Sequence, residues 1–176
     1  SWSQPTAACP SFAGSLGSGQ RSTGWAAPCL SAGLSTSWST TTSLTGGAHG
    51  NVAFAGLWWD RQRQRVVDLA GITRDRAAAV EALRATFCPA LDSVRRARRQ
   101  GAPVDLPAFN QCPDLAKQTL VPLTIGADRR VALFSVKIAP YEAGPYSEGT
   151  YEVTIPVTAA FIASLKEEWR DAFRAP

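Results

Sequence analysis

One histidine, four cysteines and three tyrosines are the residues whose chemistry most constrains what this chain can do. His49 lies in Thr45-Gly46-Gly47-Ala48-His49-Gly50-Asn51. A Ser-His-Asp triad would need it as the base, yet no G-x-S-x-G elbow accompanies it. A glycine-flanked histidine reads more simply as part of a structural turn, with Gly46 and Gly47 supplying the bend. Glu142, Glu148 and Glu152 lie close together, and paired carboxylates cleave glycosides. Nothing in their spacing sets the separation that this chemistry requires, and solvated rim charges are the plainer reading. A cysteine nucleophile needs a nearby base, and there is only one histidine to serve four thiols. The expectation is a chain that is not an enzyme and holds neither a metal nor a cofactor.

Cys9, Cys29, Cys88 and Cys112 include no C-x-x-C pair, and His49 is remote from all four, which disfavours a zinc site. Two disulfides are the better reading. Three pairings are open. The local one, Cys9–Cys29 with Cys88–Cys112, closes two loops of about 20–25 residues, each worth ~3 kcal/mol. Disulfides imply an oxidising compartment, periplasmic or extracellular.

Arg95-Arg96-Ala97-Arg98-Arg99 could meet phosphates. No aromatic residues interleave with it and no nucleic-acid motif accompanies it. Cations at a helix C-terminus also complement the helix dipole, so a solvated helix end is expected and nucleic acid is not an expected partner. The net charge of +4 is too small to demand a polyanion.

The segment from Pro140 to Gly149 is the most unusual. It holds two Pro-Tyr pairs, Pro140-Tyr141 and Pro145-Tyr146, between two strands. Proline lowers the entropy cost of ordering a loop. Tyrosine offers wide contact area with few rotatable bonds. Pro145, Tyr146, Tyr141 and Glu148 are therefore the candidate partner-binding residues, with Tyr141 expected to be the more buried ring. Six tryptophans could instead supply sugar-stacking platforms. Of the adjacent pair Trp58 and Trp59, one must face out if the other is buried.

These residues need elements to position them. Residues 1–30 are rich in Ser, Gly, Ala and Pro and read as a loop-rich segment tied down by Cys9–Cys29. Period-two patterning predicts strands over 31–45, 52–60 and 65–69. Thr73 is placed to cap a helix whose apolar face is Val80, Leu83, Phe87, Leu91 and Val94. Pro89 should kink or split it, and Gly101 should end it. A helical turn is expected within 106–117, then strands over 120–125, 130–138 and 151–157. Thr158 should cap a final helix carrying Phe161, Leu165 and Trp169. Hairpin-length connections point to an α+β fold, an antiparallel sheet with helices packed on one face. At 176 residues, 45% hydrophobic, this is one globular domain with no run long enough for a membrane span. The chain contains no methionine, so Ser1 is expected to be a processed end or the edge of a longer protein.

Two signatures go further. Thr45-Gly46-Gly47-Ala48-His49-Gly50-Asn51 precedes a strand ending in Trp59-Asp60, then Val67-Asp68-Leu69. Pro140-Tyr141-Glu142-x-x-Pro145-Tyr146-x-x-Gly149 precedes Tyr151-Glu152-Val153-x-Ile155-Pro156. Together they resemble the C-terminal domain of unknown function of RsiV-type anti-sigma factors, which also accompanies the peptidoglycan deacetylase PdaC as a non-catalytic domain. The resemblance covers about residues 31–173, within a domain taken as 31–176. It implies a periplasmic or lipid-anchored envelope domain facing the cell wall. It also implies a partner that is a lysozyme-like muramidase or another peptidoglycan hydrolase, bound through Pro145 and Tyr146, with inhibitor, sensor and immunity roles all open. A peptidoglycan-binding accessory domain is the alternative. The family usually has an additional N-terminal region of strands and helix where this sequence has about 45 loop-like residues, so that region is expected to be absent, trimmed or disordered; the sequence read here shows no transmembrane segment and no sigma-binding part, and on its own is not expected to be a complete anti-sigma factor.

Overall fold

Strand alternation and one long amphipathic helix build this fold, seen here in a computed structural model. The structure describes residues 22–25, 29–30, 33–43, 49–100, 106–125 and 127–176. The elements are β1 (Ser22–Trp25), β2 (Cys29–Leu30), β3 (Leu34–Ser43), β4 (Asn51–Asp60), β5 (Arg65–Val67), α1 (Leu69–Ile72), α2 (Arg76–Arg99), β6 (Thr119–Thr124), β7 (Val131–Ile138), β8 (Tyr151–Pro156), α3 (Ala159–Ser164) and α4 (Glu167–Arg170). Single 3-10 turns occur at Pro107–Asn110, Leu115–Lys117 and Tyr146–Glu148.

The α+β class is as expected, and among the described residues the named strands all pair antiparallel. The strands divide into two sheets: β1-β3-β4-β5, with β2 also on β3, and β6-β7-β8. The two sheets meet through side chains that reach the other sheet's backbone. Trp58 Nε1 donates to Leu120 O at 2.9 Å, and the hydroxyls of Thr36 and Thr119 donate to Pro122 O and Phe54 O. β1 and β2 pair with β3, so the segment read as loop contributes strands. Cys9 and the side chain of Cys29 lie outside the described residues, and so does their pairing.

The core is the buried face of α2 set against the second sheet. Leu83, Phe87 and Leu91 recur every four residues, the spacing of one helical face. They join Phe134, Val136 and Ile138 of β7 and Tyr151, Val153 and Ile155 of β8. Phe134 sits at the centre, its ring meeting those of Trp58, Phe161 and Phe173.

Pro89 neither breaks nor splits α2. A proline inside a helix costs ~3 kcal/mol. Here the flanking Phe87 and Leu91 are fully buried, and Cys88 is bonded to Cys112, so tertiary packing holds the helix through it. The caps also differ from expectation. Asp75 caps α2, accepting from Ala78 N at 3.1 Å, while Thr73 closes α1 by donating to Leu69 O. The helix ends at Gln100 in the left-handed region, φ 51°; Gly101 lies outside the described residues. The final helix is two short helices, because Leu165 is extended and bridges to Thr73. Phe161, Leu165 and Trp169 are still all buried. No helix among the described residues is long and apolar enough to cross a membrane.

Candidate functional site

The connection from β7 to β8, residues 139–150, lies beside the C-terminal half of α2. Arg95, Arg98 and Arg99 fall at i, i+3 and i+4, so all three share one helical flank. That flank faces the loop. Arg95 is only 3% exposed. It donates through Nε to Ala143 O and through Nη2 to Gln111 O, both at 2.9 Å, and pairs with Asp92 at 3.1 Å. Arg98 donates to Glu148 O and Thr150 O and stacks over the Tyr151 ring at 4.1 Å. Arg99 meets both carboxylate oxygens of Glu148, at 2.8 and 3.1 Å, and also reaches Asn110 Oδ1. The helix end expected to be solvated is so at Arg96 and Arg98, which are exposed, but Arg95 is buried and Arg99 half-buried, and Arg95, Arg98 and Arg99 together clamp the loop.

Glu148, a candidate for partner contact, is directed inward by this clamp. Its side chain is 13% exposed and also accepts from the Tyr151 hydroxyl. Burial alone would raise its carboxyl pKa, but Arg99 and the Tyr151 hydroxyl stabilise the anion and hold it below the ordinary value. Burial and the Glu148 hydrogen bond push the Tyr151 hydroxyl up. Glu152 is likewise held down: burial opposes ionisation, while Lys137 and Ser135 favour it. A general acid working near neutrality needs a raised value instead. Among the described residues no His, Cys, Asp or Glu cluster could hold a metal.

Gly144 is needed here for space. A Cβ at that position would stand 2.0 Å from Glu148 Oε2. Gly144→Ala should therefore force Glu148 off Arg99 and cost about 1–3 kcal/mol, as overpacking does. Urea unfolding of the variant measures it, and an unchanged midpoint would show that the carboxylate moves freely.

The clamped loop displays an aromatic patch. Tyr146 stacks on His49 with centroids 3.8 Å apart and planes 13° apart, and its hydroxyl donates to Gly50 O at 3.0 Å. The Tyr141 hydroxyl lies 3.0 Å from His49 Nε2, and its ring is 5.6 Å from that of Tyr146. Pro145 leads into the 3-10 turn that carries Tyr146. The structure thus brings together His49, Tyr141, Pro145 and Tyr146. Gly46 and Gly47 lie outside the described residues. Tyr141 was expected to be the buried tyrosine, yet it is 51% exposed while Tyr146 is half-buried. Tyr141 is the third residue of a turn closed by Glu142 N donating to Ala139 O at 3.3 Å, a position that takes its φ of 71° and lies at the tip of the connection.

Among the described residues the tryptophan rings are largely covered, Trp2 and the side chain of Trp25 lying outside them. Trp58 and Trp169 are buried, Trp59 is half-buried, and half-buried Trp38 faces the Lys137 ammonium at 4.1 Å. The clamp itself was missed in the sequence. Its signal was the i, i+3, i+4 spacing of arginines beside a loop still without an anchor.

No family model matches this chain, and no curated protein matches it in sequence. Among solved structures it is similar to the crystal structure of a DUF3298 family protein from Pseudomonas aeruginosa PAO1, with TM-score 0.52 and 20% identity. The match covers 89% of this chain and 66% of that one, so this chain spans less than the neighbour's full length. At that identity the likeness is one of architecture: this chain shares the fold of a domain of unknown function.

Proposed function

We propose that this chain is a non-catalytic binding module whose docking surface is the patch of His49, Tyr141, Pro145 and Tyr146. Its partner in this reading is a lysozyme-like peptidoglycan hydrolase met at the cell envelope, which the module holds and inhibits. The observation that supports a docking role is the pairing of a tyrosine-bearing loop with three arginines that hold it from behind. A loop ordered before contact loses little conformational entropy on binding, which favours affinity. The choice of partner rests on the resemblance of the His49 turn and the Pro-Tyr loop to RsiV-type domains.

Calorimetric titration against a panel of muramidases, beginning with a c-type lysozyme, tests it. A saturable isotherm near one to one, with loss of muramidase activity, is the expected result. Silence across the panel, with the chain sedimenting on purified peptidoglycan, would replace this reading with an accessory domain that binds the polymer.

A further inference from the structure

A cavity of about 220 Å³ opens between the two sheets, bounded by β4 and β5 on one side and by the Leu115–Lys117 turn and the start of β6 on the other. Its apolar wall is Trp58, Val67, Leu69 and Leu115, each less than a tenth exposed. Trp58 spends its indole N–H on Leu120 O, so the ring offers a ligand apolar surface alone.

Two charged residues line the same cavity, Asp68 and Arg76, and both are exposed. Asp68 uses Oδ1 to cap α1, accepting from Gly71 N at 2.7 Å. Arg76 uses Nη2 on Ala116 O at 3.2 Å. Among the described residues neither makes an ion pair, with the other or with any third group. One carboxylate oxygen and the rest of the guanidinium donors are therefore left for a ligand. Apolar walls with a few placed polar groups are the make-up of a small-molecule site. Here the polar groups are one anion and one cation, so a ligand of either net charge gains on one side and loses on the other. A ligand that carries both charges and an apolar body satisfies every part of the wall.

We propose that this cavity binds a free α-amino acid with an apolar side chain. The side chain lies against Trp58 and Leu115, the ammonium meets Asp68, and the carboxylate meets Arg76. The cavity shares no residue with the tyrosine-bearing loop, so this site stands or falls independently of the docking reading.

The test pairs charge-deleting variants with charge-blocked ligands. Asp68→Asn removes the charge and keeps the cap, because asparagine caps a helix as well as aspartate does. Arg76→Gln removes the guanidinium at an exposed position. Leucine in either enantiomer, N-acetylleucine and leucinamide are titrated into the full chain, and the Trp58 indole N–H signal is followed by nuclear magnetic resonance. Leucine should shift that signal saturably, with a millimolar dissociation constant. N-acetylleucine lacks the ammonium and leucinamide lacks the carboxylate. Each should bind about threefold to fivefold more weakly, the scale of an exposed ion pair. Asp68→Asn should abolish the preference over N-acetylleucine and keep the preference over leucinamide, and Arg76→Gln should do the reverse. Equal binding of all three ligands by the wild type would reduce the site to an apolar crevice and overturn the proposal. So would the absence of any saturable shift, or variants that leave both preferences as they were.

Discussion

Replacing Arg99 with alanine is expected to remove about 3 kcal/mol of folding stability, the effect of leaving one member of a buried ion pair without its partner. For a chain of this size that is a fall of about 6–12 °C in melting temperature. Arg99 and Glu148 are 10% and 13% exposed at their side chains, so water cannot stand in for the missing guanidinium. Asn110 Oδ1 and the carbonyls of Phe109 and Ala143 lose a donor as well. Glu148→Gln removes the counter-ion of Arg99 but should be milder, because the guanidinium keeps Asn110 Oδ1 and the carbonyls of Phe109 and Ala143 as acceptors. The pair also sets a pH dependence. Arg99 and Tyr151 hold the Glu148 carboxyl below its ordinary value against the effect of burial. The unfolded chain therefore takes up a proton on Glu148 before the folded chain does. The stabilisation is fully present above the unfolded value, about 4.3, and is lost as pH falls through the lower folded value. Denaturation curves from pH 7 down into the acid range should show a shallower loss for Glu148→Gln than for wild type. A wild-type melt for Arg99→Ala, or superimposable acid limbs, would mean that other contacts hold the loop.

Removing the Cys88–Cys112 disulfide should have a similar magnitude by a different route. Its half-cystines are 24 residues apart in sequence, and closing a loop of that size is worth about 3 kcal/mol in the chain-entropy model. The local consequence is more specific. The bond fixes Cys112 to the middle of α2, and Phe109, Asn110 and Gln111 just before it supply acceptors to Arg99 and Arg95. Those two arginines in turn hold Ala143 and Glu148. Cys88→Ser with Cys112→Ser should lower the melting temperature by about 6–12 °C and speed amide hydrogen exchange across 139–150 while β7 stays protected. A drop in stability without faster exchange in the loop would separate the disulfide from the clamp.

Much of the framework was legible because it is local. β8 alternates cleanly: Tyr151, Val153 and Ile155 face in, Glu152 and Thr154 face out. The buried face of α2 recurs at helical spacing, and Thr158 caps α3 as its position suggests. What was not legible depends on distant partners. The division into two sheets follows from which strands exchange hydrogen bonds, and period-two patterning is blind to that. The break after Ser164 arises because Leu165 pairs with Thr73, a contact with no local sign. Arg95 and Arg99 would look the same on a solvated helix end, where they would serve the dipole; only the loop arriving at residues 143–150 makes them a clamp. Likewise the Pro-Tyr pairs singled out this loop, but that Tyr141 and not Tyr146 is the more exposed ring depends on the packing of Tyr146 against His49, a contact 97 residues away in sequence with no local sign.

The clamp grips mostly main chain. Arg95 and Arg98 take hold of the carbonyl oxygens of Ala143, Glu148 and Thr150, atoms that every residue type carries, and Glu148 is the one loop side chain that Arg99 engages. Holding and displaying are therefore written in separate letters of the sequence. Positions 141, 142 and 147, all exposed, can change identity without loosening the frame, provided that 144 stays glycine and 148 stays acidic. Such a loop can be re-addressed: substitutions at its tip retarget the surface while the architecture beneath is inherited intact, which makes this connection a natural place to graft or diversify a recognition sequence.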